Sequence, residues 1–384
     1  MSFAVSCSTQ LCIKFLPQEG SRKKNQGTET EQKDTVSSSN SASGHSLAAC
    51  GMGSSLAMQL LLFLLLFPSL GQGVPQCPKA CNCTLSINGT SAICGPLDSF
   101  PKGLPMDTTD VSVEYTNLSQ LSSDALRGLP NLKELHLAGN KIDNLSSGLL
   151  TPTPALEVLD LTGNTLSELP SGLFTNSTAL HSLVMKGNKL ETLKADWLEG
   201  LVALRWLDVS ANRLQMLPQD LLLNLTVLQT LDLSDNMLLE LPPNLLKGLP
   251  HLQRLHLEDN QLQTLAEGTF SATPHLGYLF LQGNRLNNLP SSIFSSLHEV
   301  NMLDLSNNSL AQVPDGLLDK VGQMKEGFDL SENPWNCDEK LCGLYQWLLN
   351  HQDKMFFKNK TLCASPEAGQ SLLEVAKKKV CPKQ

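Results

Sequence analysis

An asparagine returns every 24 residues through the centre of this chain, at Asn140, Asn164, Asn188, Asn212, Asn236, Asn260, Asn284 and Asn308. Each stands in one frame, L-x-x-L-x-L-x-x-N-x-L. Leu156, Leu159, Leu161, Asn164 and Leu166 show it, and so do Leu252, Leu255, Leu257, Asn260 and Leu262. An interval kept this strictly demands a solenoid in which each repeat leans on the next. The L-x-L pair alternates with period two, so it predicts a short strand with leucines on one face. One such strand cannot bury its apolar side alone. Successive rungs must stack into a parallel sheet. The asparagine falls where the chain leaves the strand. Its amide both donates and accepts, so it can satisfy backbone groups that the sheet leaves unpaired.

The return path is also periodic. Pro170, Pro218, Pro242, Pro290 and Pro314 each stand six places after the asparagine. Ten places after it come Phe174, Leu198, Leu222, Leu246, Phe270, Phe294 and Leu318. That apolar column is expected to close the core from the convex side, with proline opening the return at a fixed φ. The ends are degenerate, as capping repeats must be. Counting back from Asn140 gives Thr116, and counting forward from Asn308 gives Asn333 after 25 residues. The frame therefore predicts ten rungs, about 45 Å of sheet at the usual strand spacing.

Composition supports a leucine core, since aromatics are 5% and charged residues 17%. The net charge of −9 argues against nucleic acid as a partner. The basic run Lys377-Lys378-Lys379 reads as a solvated helix face. Of eleven cysteines, Cys7, Cys12 and Cys50 precede the apolar stretch 60–67. The other eight form two groups of four that bracket the repeats: Cys77, Cys81, Cys83 and Cys94, then Cys337, Cys342, Cys363 and Cys381. An even count at the two ends of a solenoid predicts disulfide-stapled caps. Zinc is the rival reading. The spacing disfavours it, and no histidine is interleaved in the first group.

The run from Leu56 to Pro68 is a short apolar core followed by Ser69-Leu70-Gly71-Gln72-Gly73. It suits a secretion signal with small residues at a cleavage site, and it is shorter than the ~20 residues a spanning helix needs. The expected organisation is an unplaced polar leader over 1–51 and a signal peptide over 52–73. A cysteine-rich cap over 74–106, repeats over 107–334 and a second cap over 335–384 follow. Residues 1–51 have no periodicity, and Met52 would open a leader of ordinary length. No membrane anchor and an extracellular destination are expected. Sequons at Asn88, Asn117, Asn144, Asn176, Asn224, Asn307 and Asn359 then become glycosylation candidates. Asn82, between two half-cystines, is the poorest of them.

No catalytic constellation, cofactor motif or metal spacing emerges, so an enzyme is not expected. Asp160, Asp208, Asp232 and Asp304 share one slot, four places before the asparagine. They are expected to form a solvated or partner-facing column on the concave face. His136 and His256 occupy the same slot. This slot and the one two residues earlier point away from the core. Among their occupants Trp206, Arg254, Tyr278 and Phe280 stand out, since aromatics and arginine dominate binding hot spots. With Asp208 and Asp232 they make the candidate partner-binding face. Concave faces are the usual binding surfaces of solenoids.

Cys77-Pro78-Lys79-Ala80-Cys81-Asn82-Cys83 resembles the amino-terminal cap of extracellular leucine-rich-repeat proteins. Asn333-Pro334-Trp335-Asn336-Cys337-Asp338, with Leu344-Tyr345-Gln346-Trp347-Leu348, resembles their carboxy-terminal cap. The runs 132–137 (LKELHL), 303–310 (LDLSNNSL) and 353–356 (DKMF), with Glu374-Val375-Ala376-Lys377, are similar to those of secreted leucine-rich-repeat plasma glycoproteins. The resemblance implies an α/β leucine-rich-repeat solenoid, or horseshoe, with a parallel concave β-sheet and disulfide-bonded caps. It implies the pairs Cys77–Cys83, Cys81–Cys94, Cys337–Cys363 and Cys342–Cys381, although four residues separate Cys337 from Cys342 where many such caps begin Cys-x-Cys. It also implies a non-enzymatic binder with a role in transforming growth factor beta signalling and angiogenesis. The implied partners are that growth factor, its receptors, endoglin and cytochrome c. The alternative is a small leucine-rich structural protein of the extracellular matrix. Ser147-Gly148 and Ser171-Gly172 lie inside rungs without the acidic setting that glycosaminoglycan attachment favours.

Amino-terminal sequencing of the protein secreted by expressing cells should begin close to residue 72 or 74. A product starting within residues 1–51 would remove the signal-peptide reading.

Overall fold

The computed structural model describes residues 77–379 and 381, so the leader and signal calls lie outside the described residues. Twelve strands form one sheet in strict chain order. A hairpin, β1 (Cys81–Ser86) and β2 (Gly89–Cys94), opens it. The rungs follow as β3 (Thr108–Ser112), β4 (Glu134–His136), β5 (Val158–Asp160), β6 (Ser182–Val184) and β7 (Trp206–Asp208). They continue as β8 (Thr230–Asp232), β9 (Arg254–His256), β10 (Tyr278–Phe280), β11 (Met302–Asp304) and β12 (Gly327–Asp329). From β2 onward every neighbouring pair is parallel, and β1 runs antiparallel at the edge. The ten rungs read from the 24-residue frame are β3 to β12. The hairpin extends the sheet beyond them, which the cysteine spacing did not reveal.

The frame leucines are sealed. Leu156, Leu252, Leu255 and Leu257 have no exposed surface, and Phe174, Phe270 and Phe294 on the return side are equally buried. Phe270 and Phe294 stack with ring centroids 6.2 Å apart. Trimming one of these side chains to alanine costs about 2–5 kcal/mol. The prolines do open the return. The carbonyls of Pro170, Pro218, Pro242, Pro290 and Pro314 each accept from the amide three residues on, at Leu173, Leu221, Leu245, Ile293 and Leu317. These bonds make tight turns. A 24-residue rung leaves little chain for a full helix after the strand and its two corners, and short 3-10 turns form instead at Ala195–Leu198 and, on the return before β12, at Asp319–Val321.

The asparagines form a continuous ladder. Asn236 Nδ2 donates to Val209 O of the preceding rung (3.1 Å) and to Leu233 O of its own (3.2 Å). Its Oδ1 accepts from the Leu214 amide at 3.0 Å. One side chain thus ties two rungs through their backbones. Asn333 does the same at the last rung, donating to Leu305 O and Leu330 O. At the first rung Thr116 replaces asparagine, and its hydroxyl donates to Asn140 Oδ1 at 2.6 Å. The residue before each ladder position holds a left-handed conformation, with φ +67° at Gly139, +52° at Ala211 and +50° at Asn307. That conformation turns the chain sharply enough to aim the next amide inward, and it favours the glycine found in several rungs.

Both ends are closed. Disulfides join Cys77 to Cys83 and Cys81 to Cys94 in the hairpin. At the other end they join Cys337 to Cys363 and Cys342 to Cys381. These are the pairs that the resemblance implies. Helix α1 (Cys342–His351) buries Leu344, Tyr345, Trp347 and Leu348, and α2 (Leu372–Lys378) packs against it. Trp347 meets Phe328 of β12 edge-on at 4.8 Å. Trp335 is fully buried and donates from Nε1 to Leu330 O at 2.9 Å. The core end of the last rung is therefore covered by aromatic side chains and not by water. Lys377 and Lys378 face solvent on α2.

Asn236→Ala strands backbone groups in two rungs at once, so it should lower stability by roughly 1–3 kcal/mol. Asn244→Ala, at an exposed return position, should change it little. Urea titrations of both variants check the contrast, and equal midpoints would remove the ladder's role.

Candidate functional site: the concave face

In-register parallel pairing sets equivalent residues of neighbouring rungs side by side. Tyr278 lies beside Arg254 and Met302, and Phe280 lies beside His256 and Asp304. The Arg254 guanidinium carbon sits 3.8 Å from the centroid of the Tyr278 ring, a cation–π contact. The Tyr278 hydroxyl donates to Glu326 Oε1 at 2.6 Å. That bond, with burial second, holds the phenol pKa above its usual value. On the next column the His256 ring stacks on Phe280 at 4.6 Å with a 21° interplanar angle. His256 Nδ1 lies 3.1 Å from Glu258 Oε1. Burial opposes the imidazolium most strongly, but the hydrogen bond and charge of Glu258, together with Asp232, outweigh it and raise the pKa.

The structure thus gathers three of the expected residues, Arg254, Tyr278 and Phe280, with His256 as a fourth that sequence reading left as merely exposed. The signal was present, since His256 and Phe280 share one slot in consecutive rungs. Trp206 stands apart, three strands from Tyr278 across Thr230 and Arg254. Its Nε1 is enclosed and has no hydrogen-bond partner. Trp206, Tyr278 and Phe280 are half-buried, not fully exposed, and Tyr278 and Phe280 lean on Arg254 and His256 of the neighbouring rung.

The aspartate column was expected to be solvated or partner-facing. Asp160, Asp232 and Asp304 are half-buried and Asp208 is buried, and one oxygen of each carboxylate folds back on its own strand exit. Asp208 Oδ1 accepts from the Ser210 amide at 2.9 Å, and Asp208 is buried. Asp232 Oδ1 accepts from the Ser234 amide and hydroxyl. Asp160, Asp304 and Asp329 accept from Thr162, Ser306 and Ser331 in the same way. The column therefore fastens the turn that leads into each ladder position. Burial is the main cause that raises the Asp208 carboxyl, with Asp232 adding to it. Burial likewise pushes Asp304 up to about 6. At the other end of the face, Glu114, His136 and Asp160 bring one ligand-capable atom each within 4.8 Å of one another. No sequence motif marked that group, because its members are spread over three rungs.

All seven candidate glycosylation asparagines are exposed, and so is Asn82 on β1. Asn176 and Asn224 lie on the return side, and Asn307 stands at a left-handed strand exit. Among the described residues no helix is long and apolar enough to cross a membrane.

Overlapping stretches 108–166, 154–214, 207–262, 226–286, 250–310 and 274–326 match the leucine rich repeat family model. The chain belongs to the leucine-rich repeat family. It is similar to phospholipase A2 inhibitor beta of Elaphe climacophora, 42% identical over 87 residues, which is 21% of this chain and 25% of the relative. It is also similar to the platelet glycoprotein Ib beta chain of Homo sapiens, 36% identical over 94 residues, covering 23% of this chain and 43% of that one. Each match spans less than half of the relative's own length. A chain of the solved octameric complex of Latrophilin 3, Unc5D and FLRT2 superposes with a TM-score of 0.64 at 24% identity. It covers 77% of this chain and 97% of that chain. That likeness shows the fold alone. Leucine-rich repeats are protein-binding solenoids that present their concave surface to partners.

The Asp304 carboxyl binds its proton more tightly folded than unfolded, so its ionisation opposes folding. Stability should fall as pH rises from about 4 through about 6. Asp304→Asn keeps an acceptor for the Ser306 amide and removes the charge. It should be more stable than the parent by about 1–2 kcal/mol at pH 7.5, an advantage that shrinks towards pH 4. Urea denaturation at both pH values measures it, and a variant weaker at pH 7.5 would contradict the account.

Proposed function

We propose that this chain is a secreted, non-enzymatic glycoprotein that grips a protein partner on its concave face. The observation that carries the reading is the contiguous patch on β9 and β10. Arg254 lies over Tyr278 at 3.8 Å, and His256 stacks on Phe280 at 4.6 Å. Such rings lose little conformational freedom on binding because the neighbouring rung already holds them. Glu326 fixes the phenol, so one face of the patch is preset and the Arg254 charge remains at its rim. Trp206 supplies a second anchor three rungs away, which suits a partner long enough to lie along the inner curve. Asp208 and Asp232 are assigned to the scaffold beneath this contact, and the contact itself is left to the aromatic and cationic side chains.

Similarity of the cap and strand runs to leucine-rich alpha-2-glycoprotein supports modulation of transforming growth factor beta receptor signalling, with endoglin in the receptor complex and angiogenesis as the outcome. Exposed sequons support glycosylation, and the apolar stretch ahead of the first cap supports secretion. A second reading follows from the snake relatives, whose name is phospholipase A2 inhibitor. In it the same face would hold an extracellular phospholipase A2.

The triple change Trp206→Ala, Tyr278→Ala, Phe280→Ala should leave the cooperative melt in place. It should weaken partner affinity about 30-fold or more, the loss of one hot spot of ~2 kcal/mol. Surface plasmon resonance against the endoglin ectodomain, the growth factor–receptor complex and a secreted phospholipase A2 separates the two readings. Unchanged affinity in the triple variant would move the binding site off this face.

A further inference from the structure

The first three rungs turn Asp110, Ser112 and Glu114, then Glu134, His136 and Ala138, then Val158, Asp160 and Thr162 to the concave side. These positions hold four carboxylates, one imidazole and neither lysine nor arginine. Parallel register sets Ser112 beside His136, and His136 beside Asp160. Glu114 follows two residues after Ser112. Its carboxylate, one ring nitrogen of His136 and one oxygen of Asp160 lie within 4.8 Å of one another, all half-buried.

We propose that Glu114, His136 and Asp160 form a binding site for a divalent metal ion of the zinc class. The donor set decides the class. One imidazole nitrogen with two carboxylates suits zinc, whereas calcium takes six to eight oxygens. The surroundings are those of a ligating set. Glu134 Oε2 lies 3.2 Å from His136 Nε2. A carboxylate on one ring nitrogen orients an imidazole so that its other nitrogen binds metal. Asp160 Oδ1 accepts from the Thr162 amide at 2.8 Å, and Glu114 Oε2 accepts from the Ser112 hydroxyl at 3.0 Å. Each carboxylate keeps a second oxygen for the ion. None of these nine positions is a lysine or arginine, and Lys133, which acts on Asp110 and Glu134, is tied to Glu157 at 2.8 Å, so a dication would relieve repulsion between Glu114 and Asp160. Three protein ligands leave a fourth position for water or for a donor from a bound protein. The site lies at the amino-terminal end of the inner curve, on β3 to β5, and its occupation is independent of the aromatic patch on β9 and β10.

The test is isothermal titration of the purified full secreted chain, stripped of metal by a chelator, with zinc chloride and separately with calcium chloride. One zinc ion should bind per chain, calcium should not bind in the same concentration range, and zinc should raise the melting temperature. His136→Ala should abolish the zinc isotherm. Glu134→Gln, which leaves all three ligands in place, should weaken it by about 10–100-fold. His256→Ala should bind zinc as the parent does. Melting curves without metal check that each variant is folded, and Glu134→Gln carries the test if His136→Ala is not. The proposal is overturned if the parent gives no saturable zinc isotherm, or if binding survives both His136→Ala and Asp160→Asn. It is equally overturned if His256→Ala abolishes binding.

Discussion

The asparagine amide between rungs is the contact on which the rest of the structure depends. A three-residue strand makes few ladder bonds, and a rung isolated from its neighbours has nothing to cover its leucines. The amide joins the backbone of its own strand exit to the backbone of the preceding rung, as Asn236 does between Leu233 and Val209. It therefore fixes both the spacing and the register of the stack. Leucine burial supplies the driving force, but apolar contact is non-directional. Direction comes from the amide.

Register has a functional consequence. Once neighbouring rungs are locked in phase, each outward slot becomes a column, and a binding surface is assembled from one or two residues per rung. Arg254 meets Tyr278 and His256 meets Phe280 because they are 24 residues apart, not because they are near in sequence. The same geometry draws Glu114, His136 and Asp160 together. The inner curve can thus vary slot by slot without disturbing the leucines beneath it, which lets one scaffold carry different partner chemistries.

The caps solve the problem that an open stack creates at its two ends. The hairpin β1–β2 continues the sheet and covers the first rung, and two disulfides hold it shut. At the other end Trp335 and Trp347 take the place of the leucines of a rung that does not follow, with Trp347 packing edge-on against Phe328 of the last rung. The hairpin contributes few buried apolar side chains, and the covalent staples at both ends, each worth about 2–4 kcal/mol, keep the caps closed.

The amino-acid sequence alone determined the solenoid, the ten rungs, the inward leucines and the outward slots, because a 24-residue period maps directly onto position in a stacked coil. It also marked Arg254, Tyr278 and Phe280 as facing the inner curve. It did not show that Asp208 and Asp232 bend back to cap their strand exits, since a side chain two residues from a free amide can serve either the backbone or a partner. Nor did it reveal the pairing of His256 with Phe280, or the enclosure of the Trp206 indole nitrogen. Cysteine spacing left the disulfide pairs open, and only resemblance pointed to them. These were decided by tertiary structure because they depend on side-chain direction and on distances of a few ångströms between rungs. Periodicity reports which face a residue occupies, and it carries no information on what that residue touches there.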